Sequence, residues 1–112
     1  MKIAKGQVYY ADLSGNKGSE QGGFRPVLII QNDIGNSYSP TTIAAVITTR
    51  KTKARLPTHI WLDRKCGLPC ESMVELEQVR TIDKSRLAKY VGTITQEDMK
   101  KVNKGIAISF EI

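Results

Sequence analysis

Pro26-Val27-Leu28-Ile29-Ile30-Gln31 is followed, after the turn-forming stretch Asn32-Asp33-Ile34-Gly35-Asn36-Ser37-Tyr38-Ser39-Pro40, by the β-branched run Thr42-Ile43-Ala44-Ala45-Val46-Ile47-Thr48-Thr49. Apolar runs this short, bounded by Gly, Pro and Asn, read as buried strands rather than helices. Pro26 takes a first strand position, where a missing N–H costs little. Outward from this pair, Gln7-Val8-Tyr9-Tyr10-Ala11-Asp12 reads as an earlier strand and residues 58–62 and 72–80 as later ones. In the last of these, Val74 and Leu76 alternate with Met73, Glu75 and Glu77 and are expected to face inward. A short helical turn capped by Asp83 leads to a final strand at residues 89–94, and Thr95 opens a helix. Its first turn carries Glu97 and Asp98 and its later turns Lys100, Lys101 and Lys104, an order that complements the helix dipole. Met99, Val102 and Ile106 form one apolar stripe for packing. The expectation is a mainly β fold with helices, a small bent barrel of the SH3-like or OB-like kind with a C-terminal α-helix.

The chain of 112 residues has room for one core, so one domain over residues 1–112 is expected. Hydrophobic residues at 40% and charged residues at 25% are globular values, which argues against disorder and fibrous repeats. The longest apolar runs are about five residues against the roughly 20 that a bilayer requires, so no membrane partner is expected. The N-terminus lacks the apolar stretch of a signal peptide, which predicts a cytoplasmic protein. Cys66 and Cys70 have neither redox nor zinc spacing and are expected as free thiols. The net charge of +6 is concentrated: no acid occurs between Asp33 and Asp63, whereas Arg50, Lys51, Lys53 and Arg55 crowd together. Such a run is either a solvated loop or a phosphate-contacting strip, and charge alone leaves both open.

No phosphate loop, dinucleotide fingerprint, zinc-protease motif or nucleophile elbow occurs, so most enzyme classes and any metal or cofactor lack their signatures. His59 is the only histidine and reads as structural or surface-exposed, and Glu75 with Glu77 as a solvated strand face. RNA cleavage, for example, need not use a protein nucleophile. In RNA the ribose 2′-hydroxyl can itself attack phosphorus. The protein then helps to remove the 2′ proton, stabilises the phosphorane and protonates the departing 5′ oxygen. Residues 14–24 form a long loop with four glycines, and Arg25 stands where that loop meets a strand. A guanidinium there suits phosphate oxygens. It equally suits a surface ion pair with Glu20, and residue type alone does not choose.

Gly18-Ser19-Glu20-Gln21-Gly22-Gly23-Phe24-Arg25-Pro26, with Gly6-Gln7-Val8-Tyr9, Leu56-Pro57-Thr58-His59 and Glu77-Gln78-Val79-Arg80-Thr81-Ile82-Asp83-Lys84, resembles the MazF/PemK family of type II toxins along nearly the whole chain. The resemblance implies an SH3-like barrel shared with the CcdB-like toxins and a homodimer. It implies sequence-specific, metal-independent cleavage of single-stranded mRNA to 2′,3′-cyclic phosphate and 5′-hydroxyl ends, inhibiting translation and growth. An acidic MazE-like antitoxin would cover the RNA groove. Carried over by position, Arg25 and Thr48 are catalytic; Arg25 stabilises the phosphorane, Thr48 donates to the phosphate, and Glu20 is the candidate base. RNA contacts are expected from Ser19, Gln21, Gly22, Thr49, Arg50, Lys51, Lys53, Leu56, His59, Glu77 and Gln78. The alternative is a non-enzymatic gyrase-poisoning toxin on the same fold, which would need neither Arg25 nor Thr48. A third reading is a catalytically dead nucleic-acid-binding barrel.

Overall fold

The β-branched and aromatic runs all join one antiparallel sheet. The computed structural model describes residues 2–15, 23–49, 56–62 and 66–112. Its strands are β1 (Gln7–Asp12), β2 (Phe24–Ile29), β3 (Thr41–Thr48), β4 (His59–Leu62), β5 (Ser72–Asp83) and β6 (Leu87–Thr93). They lie side by side in the order β4-β5-β3-β2-β1-β6. Two helices, α1 (Asp33–Tyr38) and α2 (Gln96–Phe110), complete the regular structure.

Both faces of the sheet are buried, each in its own apolar cluster. Val8, Leu28, Ala45, Ile47, Val74 and Leu76 point to one side, where Val102 of α2 covers them. Tyr9, Ala11, Val27, Ile29, Ala44 and Val46 point to the other, with Ile3, Leu13, Ile82 and Leu87. The first cluster draws on both outer strands: Leu62 of β4 and Ile94 after β6 share it with Cys66 and Leu68. The sheet therefore curls so that its two outer strands share one core without pairing. A Cβ on Gly92 of β6 would lie 2.0 Å from the Cys66 carbonyl oxygen, so the approach of the segment after β4 to β6 requires glycine there. Cys66 and Cys70 on this segment are thiols, not joined in a disulfide.

Helix α2 follows from its sequence. The Thr95 side chain accepts from the Asp98 N–H at 3.1 Å, Glu97 and Asp98 occupy the first turn, and Val102 is fully buried between the flanking Met99 and Ile106. Gly105 is buried as well, and a Cβ there would approach Leu76 Cδ1 at 2.4 Å. A helix thus lies close against the bulged part of β5. The Asp83 cap also forms, accepting from Ser85 N–H at the start of a 3-10 turn, Lys84–Arg86. No helix among the described residues is long and apolar enough to cross a membrane.

Three expectations are corrected. Residues 32–40 are not all turn, because α1 forms within them. Asn32 caps it through Gly35 N–H at 2.8 Å, and buried Asn36 bonds to Gln31 and Thr42, a tertiary network that overrides turn propensity. Strand β2 starts at Phe24 rather than Pro26. Pro26 pairs with Tyr10 on one side, while the ladder to β3 begins only at Val27, so its missing N–H deprives no partner. Finally, β5 does not have an inward and an outward face at its start: Ser72, Met73, Val74, Glu75 and Leu76 are all buried, because apolar clusters or neighbouring strands cover both sides.

Candidate active site

Strand register brings the chemically notable residues onto one side of the sheet. Val27 of β2 pairs with Val46 of β3. The two-residue period therefore puts Arg25 and Thr48 on the same side as that pair, and extending the register to the strand ends sets them opposite one another. On β5, Glu75 lies opposite Val46 and Met73 opposite Thr48. On β4, His59 lies opposite Glu75 and Trp61 opposite Met73. Two rows cross four strands: Arg25, Thr48, Met73 and Trp61, and beside them Val27, Val46, Glu75 and His59. Val27 and Val46 are core residues. The polar end of the face thus grows directly out of packed core, which fixes its backbone. Thr48 and Glu75 are buried, and Arg25 and His59 are half-buried.

A bulge in β5 shapes the far end of this surface. Val79 pairs with Ala45 and Glu75 with the next residue, Val46, so Leu76, Glu77 and Gln78 have no place in the ladder. The bulge turns Glu77 toward β4. Its Oε2 lies 2.6 Å from His59 Nε2, and its Oε1 accepts the Thr58 hydroxyl at 3.0 Å. The Leu56 N–H donates to His59 Nδ1 at 3.3 Å. Nδ1 is therefore the acceptor nitrogen, and Nε2 carries the proton donated to Glu77. Leu76 N–H bonds the Thr58 carbonyl at 3.0 Å, tying bulge and preceding loop together.

At the other end, the Leu13 N–H bonds the Gly23 carbonyl at 2.8 Å, next to Arg25. Asp12 precedes Leu13 at the end of β1. Hydrogen bonds from Ser14, helped by the Arg86 charge, hold its carboxyl below the ordinary value, so it is an anion at neutral pH.

Of the residues expected to serve, Arg25, Thr48, His59 and Glu77 share this region, with exposed Thr49 directly after β3, exposed Leu56 before β4 and half-buried Gln78 on the bulge. Ser19, Glu20, Gln21, Gly22, Arg50, Lys51 and Lys53 lie outside the described residues. One reading changes in part: Glu75 is 6% exposed and is no part of a solvated face, while Glu77 is exposed. His59, bonded at both ring nitrogens, fits the structural reading. Sequence reasoning also passed over Thr58. A carboxylate inside the apolar run Met73-Val74-Glu75-Leu76 was the available signal for Glu75, whereas Thr58 stood in the motif Leu56-Pro57-Thr58-His59 with no role attached.

Among the described residues, His59, Glu75 and Glu77 bring donor atoms within 4.8 Å of one another, close enough to share a cation. Both imidazole nitrogens are already engaged, by Leu56 and by Glu77, so the group is a hydrogen-bonded couplet beside a buried acid. Chemically, the face offers a planar cation, a buried hydroxyl on a rigid strand and an oriented carboxylate, a set that addresses a phosphodiester and the base attached to it.

Residues 4–110 match the family described as PemK-like, MazF-like toxin of type II toxin-antitoxin system. The chain is 51% identical over 113 residues to the endoribonuclease EndoA of Bacillus subtilis, covering 100% of this chain and 97% of that protein. It is 53% identical over 108 residues to the endoribonuclease MazF of Staphylococcus saprophyticus, covering 96% and 90%. An endoribonuclease from a mycobacterial species, solved in complex with its cognate antitoxin, superposes with a TM-score of 0.81 at 28% identity, over 98% of this chain and 96% of that one.

Proposed function

The chain belongs to the PemK-like, MazF-like toxins of type II toxin-antitoxin systems, and from that premise we propose that it is an endoribonuclease, one domain over residues 1–112, that cuts single-stranded mRNA through the RNA's own 2′-hydroxyl. The observation that carries the reading is the placement of Arg25 and Thr48 at facing positions on adjacent strands, one half-buried and the other buried.

The reaction forms one bond and breaks one. The 2′ oxygen joins phosphorus, the bond from phosphorus to the 5′ oxygen breaks, a proton leaves the 2′-hydroxyl and another reaches the leaving 5′ oxygen. The products are a 2′,3′-cyclic phosphate and a 5′-hydroxyl. Negative charge grows on the non-bridging oxygens, and Arg25 meets it with a planar fork of N–H donors. Thr48 supplies a hydroxyl donor whose strand cannot move away, because Val46 and Ile47 behind it are core. Neither role requires a metal, since the arginine provides the positive charge. Glu20 is the base in this scheme, and Ser19, Gln21, Gly22, Arg50, Lys51 and Lys53 close on the phosphate backbone, while Thr49, Leu56, His59, Glu77 and Gln78 meet the bases.

As a toxin the enzyme would act in the cytoplasm, stop translation and growth, work as a homodimer and be neutralised by an acidic antitoxin. The mycobacterial complex supports the last point. The test is incubation of purified protein with a long single-stranded RNA in EDTA, followed by mapping of the ends. Discrete cuts that Arg25→Ala abolishes support the proposal; cleavage that needs Mg²⁺, or that survives Arg25→Ala, refutes it.

A further inference from the structure

Glu77 is held far more firmly than a surface acid needs to be. Each of its carboxylate oxygens has a protein donor, His59 Nε2–H at 2.6 Å and the Thr58 hydroxyl at 3.0 Å, while 31% of its side chain remains exposed. The donors are themselves fixed. The Leu56 N–H on Nδ1 sets the His59 tautomer, and the Leu76 N–H on the Thr58 carbonyl binds that residue to the bulge. Thr58 is buried and the His59 side chain is 5% exposed, so neither donor has rotamers to spare. A carboxylate oxygen has two lone pairs, so one on each remains for a ligand, already aimed. The ordering entropy is removed before binding. This acceptor lies against His59 and within 4.8 Å of the Glu75 carboxylate, and Glu75 and His59 belong to the rows that run across the sheet beside Arg25 and Thr48.

We infer that Thr58 is a specificity-positioning residue: its hydroxyl holds Glu77 as a fixed acceptor for a base bearing an exocyclic amino group, which excludes uracil from one position of the cleaved sequence. The inference rests on the RNA-cleavage reading above. An ionised carboxylate only accepts hydrogen bonds. Adenine, cytosine and guanine each present an amino group to it. The edge of uracil offers a single N–H between two carbonyl oxygens, and those oxygens would face the carboxylate oxygens. Once a bound base covers this aimed carboxylate, a mismatched base is rejected more strongly than the right one is favoured, because the mismatch leaves polar groups unpaired.

The test uses the full-length protein. Ends are first mapped on a long single-stranded RNA, and two oligonucleotides differing only as amino base or uracil at the restricted position are then cleaved in competition. Wild type is expected to exclude uracil at one position. Thr58→Val, which removes the hydroxyl and keeps the shape, lowers the ratio of kcat/KM values for the pair by about tenfold, the worth of one hydrogen bond to a charged group. Thr58→Ser restores the ratio to within about twofold. Glu77→Gln admits uracil, because its carboxamide can donate to a carbonyl. A Thr58→Val protein with the wild-type ratio overturns the inference and leaves the endoribonuclease reading standing. Equal loss on both oligonucleotides also overturns it, since that is the signature of a merely structural threonine. Failure of wild type to cut any RNA overturns both.

Discussion

Thr48→Val isolates a single hydroxyl. Valine keeps the β-branched shape that suits β3 and fills the same volume opposite Met73. The residue is 3% exposed, so the substitution also takes away whatever the buried hydroxyl bonds in the resting enzyme, at a stability cost of about 1–3 kcal/mol. Domains of this size are stable by roughly 5–15 kcal/mol. Even the worst combination leaves about 2 kcal/mol, and some 97% of the molecules stay folded at 25 °C. Unfolding can then remove only a few per cent of the rate. Loss of one pre-oriented donor to the transition state, by contrast, costs about 10²–10³ in kcat. The two effects differ by orders of magnitude, so one assay separates them. Single-turnover cleavage of a fluorogenic RNA oligonucleotide, with a thermal melt on the same sample, is expected to show a hundredfold or greater loss from a folded protein. A Thr48→Val enzyme within about threefold of wild type would refute the assignment of Thr48 to the reaction.

Other consequences follow from packing and charge. Gly92→Ala puts a methyl group 2.0 Å from a backbone carbonyl and should lower Tm by at least about 5 °C. Gly105→Ala should cost far less, because its clash is with the tip of the Leu76 side chain and alanine favours the helix. The hydrogen bonds of Ser85 hold the Asp83 carboxyl below its ordinary 3.8, aided by Arg86. A depressed carboxyl pKa stabilises the fold above the unfolded value and ceases to do so as pH falls through the folded one. Asp83→Ala should therefore lower Tm at neutral pH by an amount that shrinks and disappears as the pH is taken below about 3.8. With a charge of +6, the enzyme should lose RNA affinity steeply as salt rises, and a KM indifferent to salt would argue against phosphate contacts.

The parts of this structure that local chemistry controls were legible in the sequence. The strand at Gln7–Asp12, the Asp83 and Thr95 caps and the buried stripe of α2 all rest on neighbours within a few residues. What could not be read depends on distant partners. Residues 32–40 contain a helix because Asn36 finds Gln31 and Thr42. The alternation in β5 fails because a bulge takes Leu76, Glu77 and Gln78 out of the ladder, and its cause is three-dimensional. The curl of the sheet brings Gly92 against Cys66, a contact without a sequence signal. At the site, the loop-to-strand junction at Arg25 was visible as a place for a cation, and the family resemblance singled out Thr48. The burial of Glu75 and the hold of Thr58 on Glu77 appear only when β4 and β5 are laid side by side.

The central claim is that the RNA supplies its own nucleophile. It is tested most directly by replacing the ribose on the 3′-phosphate side of one mapped cut with 2′-deoxyribose, in an otherwise unchanged RNA, and assaying cleavage in EDTA. The account predicts that this cut disappears while other mapped cuts in the same molecule persist and carry 2′,3′-cyclic phosphate ends. Continued cleavage at the deoxy position would mean that water or a protein group attacks phosphorus, and would contradict it.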